Sequence, residues 1–151
     1  MGQVATLSRY EKNELDFFRK NKRFSEGSII DSLYVDKLWE PIMFVFSDGN
    51  FKNPFTNIFM PASKIFLTEE EEIWSEHIKY HSNEEIKEMN LKMKDITAEV
   101  ARERIDIERM NKTVIYPIKT DQIPSLIDQV MNVKIFFSET KENQIIVGYI
   151  G

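Results

Sequence analysis

Ile145-Ile146-Val147-Gly148-Tyr149-Ile150 is the stretch on which the reading of this chain turns. β-Branched and aromatic side chains fit a pleated, half-buried surface better than a helix, and here only a glycine interrupts them. The segment reads as a strand. Residues 3–7 are short, partly apolar and free of helix signals, so they read as a strand as well. Helical patterns fill most of the chain between. The expected fold is therefore α+β: a mainly helical single domain over residues 1–151, with a small antiparallel sheet that includes the N- and C-terminal strands.

Working inward from the two ends, Ser8-Arg9-Tyr10-Glu11 has the form of a capping box, which predicts a helix to about residue 19 with Leu15 and Phe18 inward and an exit near Gly27. Asp36 is the predicted N-cap of a second helix. Trp39, Ile42, Met43 and Phe46 mark its buried face, and Pro41 falls near the first turn, where a missing N–H is tolerated. A strand over residues 42–46 is the rival reading, and Ser47-Asp48-Gly49-Asn50 is a turn on composition. Residues 51–67, with Pro54 and Pro61, are expected as short helical turns that lie as a lid over the core. Thr68-Glu69-Glu70-Glu71 predicts a helix with Ile73, Trp74, His77, Ile78 and His81 inward. Ser82-Asn83-Glu84-Glu85 predicts the longest helix, to about residue 108, on a stripe of Ile86, Met89, Met93, Ile96, Val100 and Ile107. Residues 113–117 are extended. A last helix begins at Asp121 or Gln122 and turns Leu126, Ile127, Val130, Val133 and Phe137 inward.

The 151 residues are 42% hydrophobic and 30% charged, which is the balance of a chain able to build one core without staples. Cysteine is absent, which favours a reducing compartment. Residues 1–10 show no basic segment followed by an apolar run, and the longest apolar stretch, residues 42–46, is far short of the ~20 residues of a membrane helix. The expected setting is cytoplasmic, with no membrane partner. Met1-Gly2-Gln3-Val4-Ala5-Thr6 matches a myristoylation pattern, but no strong basic patch adjoins it to make an acyl chain hold. Net charge is −5 with Lys and Arg scattered among acids, so no surface is built to track phosphates and no nucleic-acid partner is expected. Frequent Lys, Ile and Asn with few Ala suggest an AT-rich bacterial source.

Chemistry is sparse. His77 and His81 are the two histidines, spaced i, i+4, which on a helix can place two imidazoles on one metal. In zinc peptidases a Glu follows the first His; here Ile78 does, and no third ligand is singled out. Packed histidines are the simpler reading. There is no cysteine nucleophile and no Gly-x-Ser-x-Gly elbow, and the five glycines form no phosphate loop. Glu84 and Glu88 sit on a solvated helix face, and Met89 and Met93 read as core filling. What remains is an aromatic and polar group, Tyr34, Asp36, Trp39, Trp74 and Tyr116, which is either ordinary core or the wall of a pocket. Asp36, Trp39 and Tyr116 are the candidate ligand-binding residues. No cofactor or metal is called for. A solvent-open cleft ringed by Asp36, Trp39, His77 and Tyr116 would overturn the view that these side chains only fill space.

Leu33-Tyr34-Val35-Asp36-Lys37-Leu38-Trp39, then Phe66-Leu67-Thr68 opening a helix, then Met110 followed by Ile115-Tyr116-Pro117, and a final apolar strand ending at Gly151 together resemble the YfbM-like family of small bacterial proteins, a domain of unknown function. The family commonly has a glycine after the Trp helix and another near residues 60–67, and the chain departs from that pattern with Asp48-Gly49 and Lys64-Ile65-Phe66 there. The resemblance implies an α+β fold and a cytoplasmic bacterial protein; it supplies no activity. The expected function is a non-catalytic binding or interaction module, of adaptor or immunity type, for a protein or small-molecule partner. The rival is a small hydrolase or metal-dependent enzyme centred on His77 and His81. An oligomer joined through residues 51–67 is a third possibility.

Overall fold

The two terminal strands pair directly. In a computed structural model that describes residues 3–51, 54–65 and 78–151, β1 (Ala5–Glu11) runs antiparallel to β5 (Gln144–Ile150), with Ala5 opposite Ile150 and Glu11 opposite Gln144. β2 (Asp31–Val35) adds to the outer side of β1, β4 (Lys79–His81) to the far side of β5, and β3 (Ser63–Lys64) to β4. The sheet order is β2-β1-β5-β4-β3, antiparallel throughout. The expected α+β architecture is what forms.

Strand alternation divides the core. Ala5, Leu7, Val35 and Ile146 face a helical layer made of α2 (Trp39–Ser47), α3 (Asn83–Met93), α4 (Ala98–Arg104) and α6 (Ile123–Ser138). Tyr10, Ile145 and Val147 face the other way and pack with Leu15 and Phe18 of α1 (Glu14–Asn21) and with Ile65. Every residue of α2 except Glu40 is buried, because this helix is apolar on all sides and is enclosed by its neighbours. In α6 the six buried side chains, Leu126 to Phe137, follow the predicted stripe with Phe136 added. Residues 54–61 do lie over the core: the Phe55 ring stacks on Phe46 at 5.5 Å, and Ile58 and Phe59 are fully buried.

Four expectations are corrected. The helix predicted from Ser8 does not start there, because β1 continues to Glu11 and α1 begins at Glu14. Ser8 instead meets the Ser32 hydroxyl at 3.1 Å across the ladder, where strands on both sides outweigh a local cap. Asp36 caps nothing: α2 begins at Trp39 with Leu38 before it and no side-chain cap. Pro41 does fall in the first turn, and residues 42–46 are helix, not strand. The long helix predicted from Ser82 is three, α3, α4 and α5 (Ile107–Asn111). Ser82 does cap α3, but Thr97 accepts from the Val100 N–H and Asp106 from the Arg109 N–H, so two further caps restart the helix. Finally, the helix predicted to reach His81 does not, since residues 79–81 are strand β4; its start, with Trp74 and His77, lies outside the described residues.

The Arg9 guanidinium is a charge buried inside this frame. Arg9, on the helical face of β1, donates from Nη2 to the Phe136 carbonyl at 2.6 Å and from Nε to Thr140 at 3.0 Å, while Asp31 lies 3.7 Å from Nη1. Its guanidinium also covers the Phe136 ring at 4.3 Å. Planar guanidinium can satisfy several acceptors at once, which is how a charge is tolerated here. Arg9 therefore staples the C-terminus of α6 to the middle of the sheet.

Candidate functional site

Gly148 sits in the centre of β5, opposite Leu7 on β1 and Lys79 on β4. Its missing side chain lets residues 59–61 settle on the sheet. A Cβ built at this position would lie 2.6 Å from Pro61 Cδ and 2.7 Å from the Phe59 carbonyl oxygen. Beside this segment a cleft of about 300 Å³ opens, lined by Gly148. Trp39, Phe59, Pro61 and Ile150 form its apolar walls. Gln3 and Lys79 are its polar lining, with Met60 exposed at the rim.

Lys79 reaches this side by alternation. Its neighbour Tyr80 packs with the α1-side cluster, whereas Lys79 pairs with Gly148 and shares its face. The side chain is half-buried, and no ion pair among the described residues includes it. Trp39 is oriented from behind. Its indole N–H donates to the Gln3 carbonyl at 3.3 Å, and the Gln3 N–H donates to the Tyr116 hydroxyl at 3.2 Å. The Lys37 ammonium lies 5.7 Å above the Tyr116 ring. The indole therefore offers the cleft an apolar surface and no donor.

Of the three ligand-binding candidates, Trp39 lines the cleft, Tyr116 stands one residue behind it through Gln3, and Asp36 is exposed in the turn before α2, outside the lining. Tyr34 is exposed on β2. Gln3, Lys79 and Gly148 were not anticipated. The one available signal was the glycine within an apolar strand, a position that often marks close backbone approach.

His81 is fully buried on β4 and has other work. Nε2 lies 2.7 Å from the Ile58 carbonyl, an acceptor only, so Nε2 carries the proton. Nδ1 faces a Glu85 carboxylate oxygen at 3.3 Å, and the ring stands edge-on to Phe137 at 5.3 Å. The Ser63 hydroxyl donates to the other Glu85 oxygen. The network joins β3, β4, α3 and the segment that walls the cleft. Among the described residues, no group of three His, Asp or Glu side chains is placed to hold a metal.

Burial pushes the Glu85 carboxyl up, but hydrogen bonds from His81 and Ser63, with the His81 charge and a further contact to Ser82, outweigh it and hold the carboxyl below its ordinary value of 4.5. A carboxyl depressed on folding stabilises the protein fully above its unfolded value, and that contribution is lost as pH falls through the folded value. Urea midpoints measured downward from pH 6 should therefore stay level to about pH 5 and then fall. Glu85→Gln should remove part of that acid slope while lowering stability near neutrality; an unchanged slope would show that Glu85 carries none of it.

A wider depression of about 460 Å³ lies between the end of β1 and α1. Four of its polar groups pair locally, Asn143 donating to Glu11 at 2.8 Å and Arg19 pairing with Asp16 at 3.3 Å, and its remaining cation, Lys12, is exposed to solvent. The Trp39 cleft differs in that its cation, Lys79, is half-buried and in no ion pair among the described residues.

A family described as a domain of unknown function (DUF1877) has a model that matches residues 1–147. Among solved structures, the chain is similar to YfbM from Escherichia coli, a protein of unknown function, with a TM-score of 0.65 and 12% identity over 98% of each chain. At that identity the likeness speaks for the fold alone. No curated protein matches the sequence.

Proposed function

This chain belongs to the DUF1877 family of domains of unknown function, and from that footing we propose that it is a non-catalytic binding module whose ligand enters the cleft beside Trp39. The observation that carries this reading is the cleft itself: about 300 Å³, apolar on its walls, with one half-buried lysine that no described carboxylate neutralises. Such a mixture, mostly apolar with a few placed polar groups, is what small-molecule sites are built from. Trp39 is the ligand-binding residue we retain. Tyr116 acts by fixing Gln3, and Asp36 has no part in this cleft. The enzyme alternative rested on two histidines of one helix, and His81 is neither on a helix nor free at either ring nitrogen. We place the module in a bacterial cytoplasm, on its cysteine-free composition and its resemblance to a bacterial family. The scattered basic residues and net charge of −5 favour a small molecule over nucleic acid.

The test is a fragment screen by amide NMR on the full chain. Shifts should concentrate at the amides of Lys79, Gly148 and Ile150 and at the Trp39 indole N–H, with every fragment recovered unchanged. Shifts confined to other surfaces, or chemical conversion of a bound fragment, would overturn the proposal.

A further inference from the structure

Resting on that reading of the cleft, we infer that its ligand is a small organic anion, with a flat apolar body against Trp39 and Ile150 and a carboxylate at the Lys79 ammonium. Charge is the first ground. Among the described lining residues Lys79 is the one charged side chain; it is half-buried, and no ion pair among the described residues involves it. A cation held partly out of water is best served by an anion, and a charge-assisted hydrogen bond there is about twice as strong as a neutral one.

The second ground is the direction in which polarity is offered. Because the Trp39 N–H is already given to the Gln3 carbonyl, the indole presents no donor to the cleft. Phe59, Pro61 and Ile150 add none from their side chains. The ligand's polar end must therefore lie at Lys79 or at the mouth, where the Gln3 side chain is exposed, and its body must be apolar. The third ground is size. A volume near 300 Å³ is about ten times the share of one water in the liquid, room for one or two fused rings rather than a nucleotide.

Indole-3-acetate and its uncharged isostere indole-3-acetamide separate the two parts of the argument. Titrated into the full chain, the acetate should shift the Lys79, Gly148 and Ile150 amides, and the acetamide should bind at least about tenfold more weakly. Rising salt should weaken the acetate alone. Lys79→Met should erase the difference between the two probes and Lys79→Arg should keep it. If Lys79→Met does not fold, the comparison on the unaltered chain decides. Equal affinities, or neutral fragments binding at the cleft amides while the acetate does not, would overturn the anion and leave the cleft standing. Failure of fragments of every charge at those amides would overturn both.

Discussion

Replacing His81 with alanine is expected to lower the unfolding free energy by about 3 kcal/mol. The loss has three sources. The Ile58 carbonyl, on a fully buried residue, loses the N–H that reaches it at 2.7 Å. Glu85 loses the ring 3.3 Å from its carboxylate while remaining fixed by Ser63 and by the first turn of α3. The edge contact with Phe137 becomes a cavity, and the neighbours that line it belong to the sheet and to α6, which cannot both move in. His81→Gln should recover part of the loss, because a carboxamide N–H can still be aimed at Ile58. Both variants should also show a shallower loss of stability in acid, since Glu85 without its main hydrogen-bonding partner no longer stays as far below its ordinary value. Urea unfolding at two pH values measures all of this. An alanine variant within about 0.5 kcal/mol of the parent would mean that the imidazole merely occupies space.

His81 also shows where a one-dimensional reading runs out. Residues 73–81 have a helical spacing of apolar and aromatic side chains, yet residues 79–81 are a strand, because β5 offers them a ladder and three residues are too few to display a period of their own. β2 was silent for a related reason. Asp31-Ser32-Leu33-Tyr34-Val35 is an edge strand with only Val35 buried, so its alternation is too weak to see. The breaks in the predicted long helix were hidden because Ile96, Ala101 and Met110 stay buried across them. Thr97 and Asp106 were the signals missed, since both are cap residues standing within the stripe. The C-terminal strand and α6, by contrast, bury whole faces and read correctly, and the N-terminal strand was seen but ended too early, at residue 7 instead of Glu11.

The cleft was legible only in fragments. Trp39 could be picked out as a large amphipathic side chain, but its use depends on Gln3, Lys79 and Gly148, which meet through strand pairings far apart in sequence. Periodicity says nothing about such pairings. A cluster of Asp36, Trp39 and Tyr116 was the natural guess, because the first two are close in sequence; the turn before α2 sends Asp36 outward instead.

Gly148→Ala should destabilise the protein by about 2 kcal/mol, and the sign of the change is the informative part. Gly148 has no left-handed backbone to protect: the glycines with positive φ are Gly27 and Gly49. In a strand without steric conflict, alanine would therefore be favoured over glycine by about 0.5–1 kcal/mol, from the smaller entropy lost on folding. Here the new Cβ meets a proline ring and a backbone carbonyl, neither of them the free end of a flexible side chain, at 2.6 and 2.7 Å. β5 cannot retreat, because β1 and β4 hold it from both sides. The segment bearing Phe59 and Pro61 must move instead, against the grip of His81 on Ile58, and the cleft wall moves with it. The variant should thus lose stability and bind cleft fragments more weakly, with amide shifts at residues 58–61 as the signature of the displaced wall. Urea unfolding and amide NMR of the one variant measure both effects. A stabilised Gly148→Ala protein would mean that residues 59–61 do not rest on the sheet, and the cleft they line would lose that wall.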